Sequence, residues 1–125
     1  HPQTMLYSRF TEQQVKFSPT IDSFYVDFTR ATNRVDLTVG AGKFLKAASP
    51  FSLEAGEIVK LNFTYSPQYA LLDVGLVGPD GNFRYIRGAD GNLKKSIVVS
   101  KTGKYYLAFR NNSESPVQIM GFIYY

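Results

Sequence analysis

The chain is 125 residues long, 44% hydrophobic and 19% charged, which is globular composition at the length of one domain. Fourteen Lys and Arg against ten Asp and Glu leave a net charge of +4. With no Cys, no Trp and one His, at position 1, the chain has no thiol nucleophile, disulfide or Cys/His zinc site, and a Ser-His-Asp triad would hang on its first residue.

Period-2 alternation runs through the chain and predicts strands in order. Residues 6–16 are expected to add an early strand, with a short helix over 8–17 as the alternative. Residues 24–28 place Phe24, Val26 and Phe28 on one face, and 35–39 place Val35, Leu37 and Val39 on one face. A further strand is expected over 43–48, after a turn at Gly40-Ala41-Gly42-Lys43. That turn lacks the spacing of a phosphate loop. In 57–66, Val59, Leu61, Phe63 and Tyr65 face in, while Ile58, Lys60, Asn62 and Thr64 face out. Strands over 71–77, 83–87, 93–99, 105–110 and 117–125 follow. The last two are apolar on both faces, which predicts a central position or a face that meets a partner.

The turns between them carry their own signals. Asp80-Gly81 and Asp90-Gly91 lie ten residues apart, and Asp-Gly favours a tight hairpin because Gly tolerates positive φ. Residues 100–103 and 111–116 supply two more turns. Short strands at this spacing, without room for long crossovers, predict an all-β fold. The expectation is a single domain over 1–125, an antiparallel β-sandwich of jelly-roll type with about eight or nine short strands.

From Phe51 onward three pieces resemble the secreted bacterial jelly-roll modules of the pre-peptidase C-terminal type. Phe51-Ser52-Leu53-Glu54-Ala55-Gly56-Glu57 is similar to their F-x-L-x-A-G-[DE] lead into a strand. The run from Leu72 through Asp73 and Pro79 to Gly81 is similar to their D-x-x-L-x-x-P-D-G strand and turn. Thr102-Gly103-Lys104-Tyr105-Tyr106-Leu107 is similar to T-G-x-Y-Y-L. The resemblance covers residues 51–125 and implies a non-catalytic sandwich appended to secreted enzymes. Some members of that group bind collagen or polysaccharide with calcium. This chain carries no dense acidic cluster, so no metal and no cofactor is expected. The start His1-Pro2-Gln3 reads as a mature end after signal removal, so a secreted, extracellular location is expected.

Carboxylates are the remaining catalytic candidates, and a glycosidase needs two across a cleft, about 5–9.5 Å apart. Glu12, Glu54, Glu57 and Glu114 do not sit mid-strand, and Asp73 reads as a structural carboxylate, exposed or hydrogen-bonded. No catalytic residue is assigned. Tyr offers an apolar body with a polar tip, the side chain of choice for sugar and protein surfaces. The candidate ligand-binding residues are therefore Tyr69, Tyr85, Arg87, Tyr106 and Arg110, a Tyr-Arg mixture on neighbouring strands. The basic residues between 84 and 110 alternate: Arg84 opposes Arg87 and Lys94 opposes Lys95, so no single basic patch is expected.

The function expected is a non-enzymatic binding module for a glycan or a cell-surface or matrix protein. It is expected to have no specific nucleic-acid partner and no membrane insertion. A structural or adhesion role through self-association is the alternative, and a small carboxylate-dependent glycosidase or lyase the second alternative.

Overall fold

The computed structural model describes residues 4–6, 15–16, 22–24 and 28–125. Eight long or medium strands carry the fold: β4 (Thr32–Val39), β5 (Phe44–Ala47), β7 (Ile58–Ser66), β8 (Leu72–Val77), β9 (Asn82–Arg87), β10 (Asn92–Val98), β11 (Gly103–Asn111) and β12 (Val117–Tyr124). Four short ones join them: β1 (Thr4–Leu6), β2 (Val15–Lys16), β3 (Asp22–Phe24) and β6 (Phe51–Leu53). One sheet runs β1-β10-β7-β12-β4; the other runs β2-β9-β8-β11-β5-β3, with β6 on β11. Among the eight main strands, the sheets read sixth-third-eighth-first and fifth-fourth-seventh-second. That interleaving is the jelly roll, two Greek keys closed face to face.

The main strands pair antiparallel, as the short turns require. Two pairs at the margins are parallel, β1 with β10 and β3 with β5. Neither needs a crossover unit, because the chain visits other strands between the partners. The short strands β1 and β2 lie inside the expected 6–16 region or just before it. Of the expected strand over 24–28, Phe24 closes β3, which runs from Asp22 to Phe24; Phe28 is outside any strand, and residues 25–27, Val26 among them, lie outside the described residues.

The core sits between the sheets. Val59, Leu61, Phe63 and Tyr65 of β7 are buried in strict alternation against Leu72, Val74 and Leu76 of β8 and Tyr105, Leu107 and Phe109 of β11. Phe63 and Phe109 meet edge to face across the two layers, ring centroids 5.5 Å apart. Phe24, Phe28 and Leu37 pack against this core only partly buried. The Asp90-Gly91 hairpin forms as its residues dictate: φ is 53° at Asp90 and 81° at Gly91, and Ala89 and Asn92 exchange hydrogen bonds of 3.0 and 3.1 Å. Gly40–Lys43 is a turn, closed by Lys43 N–H donating to the Gly40 carbonyl at 3.0 Å.

The two outer faces differ. β8 is buried on both faces, and β11 nearly so. A second apolar cluster of Val77, Phe83, Tyr85 and Ala108, with Phe44 and Tyr106 against it, lies on the outer face of the β9-β8-β11-β5 sheet. On the other sheet, β12 buries Val117, Ile119 and Ile123 inward and leaves Met120 and Phe122 exposed outward. Of the two strands expected to be apolar on both faces, one is thus covered and one open.

Candidate functional site

On the closed face, pairing brings the sequence candidates together. Asp73 of β8 lies opposite Arg87 of β9 and Arg110 of β11. Its carboxylate is fully buried. Arg87 Nε–H donates to Oδ1 at 2.8 Å and Arg110 Nη2–H to Oδ2 at 2.9 Å; Asn112 Nδ2–H adds a third partner at 2.7 Å. The Asp73 hydrogen bond holds the Arg87 guanidinium above its ordinary pKa, so it stays a cation. The Arg110 guanidinium also lies 4.4 Å from the centre of the Tyr85 ring, and Tyr85 stacks on Phe83 at 5.2 Å. Tyr106 is on the same face, with the Lys46 ammonium 4.4 Å from its ring centre.

Glycine makes the close approach possible. Gly75 pairs with both Tyr85 and Ala108, and a Cβ there would lie 1.9 Å from the Arg84 carbonyl oxygen. Four of the five sequence candidates therefore share one sheet face, three of them in direct contact around or beside Asp73. Tyr69 stands apart, 77% exposed in the connection between β7 and β8. Asp73 itself is the hydrogen-bonded form of the structural carboxylate the sequence suggested. Its oxygens accept from two guanidiniums and an amide, which leaves no open face from which to attack a substrate.

The open face of the other sheet carries a groove. On β10, Lys94 and Ser96 pair with Asn62 and Lys60 of β7, which pair in turn with Phe122 and Tyr124 of β12. A concavity of about 780 Å³ is lined by Lys60, Leu61, Asn62, Lys94, Lys95, Ser96 and Tyr124. A shallower one of about 230 Å³ adjoins it at Asn62 and extends over Thr64, Met120, Phe122 and Arg34 of β4. Lys94 pairs with the outward Asn62 and Lys95 with the buried Leu61, so the two lysines oppose each other as alternation predicts; Lys60 of the neighbouring β7 stands on the outward side with Lys94. Among the described residues lining the two concavities, three cations, Lys60, Lys94 and Arg34, share the outward register, and none is a carboxylate. Asp36, 4.0 Å from Arg34, stands beside them. The signal for this surface was present in the sequence as the outward Phe122 and Tyr124 of a two-sided strand. What the sequence lacked was the register that sets them beside Lys60 and Lys94.

No group of three or more His, Asp or Glu that could hold a metal occurs among the described residues. No helix among them is long and apolar enough to cross a membrane.

No protein-family profile matches the chain, and no curated protein does. Solved structures of similar shape exist. The periplasmic inhibitor of g-type lysozyme from Aeromonas hydrophila, PliG, superimposes with a TM-score of 0.58 at 13% identity, covering 83% of this chain and 96% of the inhibitor. The Salmonella Typhimurium PliG gives 0.49 at 14% identity over 82% of this chain and 99% of its own. A mutant of the Escherichia coli PliG gives 0.47 at 13%, over 82% and 99%. At that identity the Aeromonas structure establishes likeness of fold.

Proposed function

We propose that this chain is a non-catalytic binding module that acts outside the cytoplasm and holds its ligand on the open face of the five-stranded sheet. The observation that carries the reading is the groove across β10, β7 and β12, where cations, an amide, a hydroxyl and aromatic rings converge on a concave, exposed surface. Ligand sites are concave and combine apolar lining with a few convergent polar groups. The buried state of Asp73, its carboxylate saturated by Arg87, Arg110 and Asn112, supports a structural use of the best-placed mid-strand carboxylate. The resemblance of residues 51–125 to pre-peptidase C-terminal modules, and a fold shared with a periplasmic protein that inhibits an enzyme, both support binding rather than catalysis at an exterior location.

The test is biolayer interferometry of the full chain against two probes: a glycan array and a g-type lysozyme. At least one is expected to bind, and Phe122→Ser or Lys94→Ser is expected to weaken that binding while thermal melting stays unchanged. Binding that survives both substitutions but is lost in Tyr69→Ala or Arg87→Ala would move the site to the rim of the other sheet and refute this reading. Turnover of a polysaccharide that a single carboxylate substitution abolishes would refute it as well.

A further inference from the structure

Resting on that reading of the groove, we infer that its ligand is an acidic polysaccharide, a chain of sugar rings bearing carboxylates. Three observations converge. The first is charge. Lys60, Lys94 and Arg34 share the outward register at the two adjoining concavities, and no described lining residue is acidic. The chain neutralises its guanidiniums locally, Arg30 on Glu57 at 2.7 Å, Arg34 on Asp36 at 4.0 Å, Arg84 on Asp80 at 2.8 Å, and Arg87 and Arg110 on Asp73, so the unbalanced charge of the groove is that of its lysines. A concave lining that holds cations, with its nearest described carboxylate, Asp36, at the margin beside Arg34, focuses its field and draws a polyanion.

The second is shape. The lining residues come from β10, β7, β12 and β4 in spatial order. Neighbouring strands lie about 4.8 Å apart, so the track across them is about 14 Å long, the reach of a short oligosaccharide rather than of a single small anion.

The third is the chemistry between the charges. Phe122 and Tyr124 stand side by side on β12, ring centroids 6.4 Å apart and tilted by 40°. They form a shallow platform for the C–H faces of sugar rings, with the Asn62 amide and Ser96 and Thr64 hydroxyls placed to bond ring hydroxyls. A protein partner is the poorer fit, because Lys is depleted at the centres of protein interfaces where Tyr and Arg are enriched. A single-stranded nucleic acid would stack its bases on aromatic platforms and wants a phosphate-tracking groove along them. Here the two rings share one strand and the cations lie to both sides of it, which suits carboxylates carried on the sugar rings themselves.

The experiment titrates the full chain, by calorimetry at about 0.15 M salt, with size-defined oligogalacturonates. Their methyl esters, polyglutamate and oligothymidylate serve as comparison probes. The oligogalacturonate is expected to bind at least about tenfold tighter than each of the others. The double substitution Lys60→Ser, Lys94→Ser is expected to weaken it about tenfold or more and to lower the salt slope, by roughly one per lysine removed. Tyr124→Ala is expected to weaken it with the salt slope unchanged; should that variant not fold, the exposed lysine pair still decides. Equal binding of polyglutamate or oligothymidylate would overturn the inference, since charge alone would then explain it. Tighter binding of the methyl ester would overturn it too. If no polyanion binds but g-type lysozyme or a neutral glycan does, with loss in Lys94→Ser, the acidic-glycan inference falls and the binding function of the groove stands.

Discussion

Replacing Asp73 by Ala removes the shared acceptor of five hydrogen bonds, two each from Arg87 and Arg110 and one from Asn112. The two guanidiniums respond differently. Arg87 has 49% of its side chain exposed and can rehydrate, so its share is that of a surface pair, about 0–1 kcal/mol. Arg110 is 18% exposed and is pinned over Tyr85, so it is left as a buried cation without its counter-charge. Stranding one partner of a buried pair costs about 3–5 kcal/mol, and the residual exposure of Arg110 places the loss near the lower end, about 3 kcal/mol. For a chain of this length each kilocalorie lowers Tm by roughly 3–5 °C, so the melt should fall by about 10 °C. Urea unfolding followed by circular dichroism reads this as a lower midpoint with an unchanged slope. Arg87→Ala, which removes only the exposed arm, should cost about 1 kcal/mol or less. A loss below about 1 kcal/mol in Asp73→Ala, or equal losses in the two variants, would show that the carboxylate is not the electrostatic centre of this face.

Leu61→Ala and Phe63→Ala, both within the inter-sheet core, should each lose about 2–5 kcal/mol in the same urea assay. Gly75→Ala should destabilise by about 2 kcal/mol or more, because its Cβ would meet the Arg84 backbone and neither strand can withdraw without breaking its ladder. Stability should also fall in acid. The Glu57 carboxyl is held below its usual value by the Arg30 hydrogen bond and by the Glu54 backbone; at Asp80, desolvation is outweighed by the Asn82 amide and Arg84. A depressed folded-state value gives stability that is present above the unfolded value and lost as pH falls through the folded one, so urea midpoints should be flat near neutrality and drop below about pH 4. Glu57→Gln together with Asp80→Asn should flatten that drop, and an unchanged acid profile in the double variant would assign the loss to other groups.

The elements legible in the sequence are those whose signal is local. β7 shows its buried face in nine consecutive residues, and Asp90-Gly91 encodes its own turn. β6 was readable only as a lead into the next strand, because three residues are too few to establish a period, and its place is set by pairing with β11. The contacts of Asp73 lie 14, 37 and 39 residues away along the chain. Alternation could say that Asp73 turns away from Leu72 and Val74, but only the jelly-roll order says that Arg87 and Arg110 turn with it. The same limit explains the groove. Alternation correctly opposes Lys94 and Lys95 within one strand, but only the pairing of β10 with β7 sets Lys60 beside the outward Lys94.

The two sheets solve one problem in opposite ways, and the contrast bears on function. Each outer face holds cations and aromatic rings. On the closed face two arginines share a buried carboxylate with their planar forks and Lys46 lies over the Tyr106 ring, a geometry that ties each of these cations to a partner within the sheet. On the open face the cations are mostly lysines, compact and hydrated point charges on flexible stems, and the described residues lining the groove supply no carboxylate to hold them. Solubility alone is served by interspersing both signs, as the Arg34–Asp36 pair does at the margin. Lysines gathered without counter-charges along a concave, aromatic-floored surface repel one another in the free protein. That cost is recovered when an anion enters between them, so the arrangement is a surface whose electrostatics improve on binding.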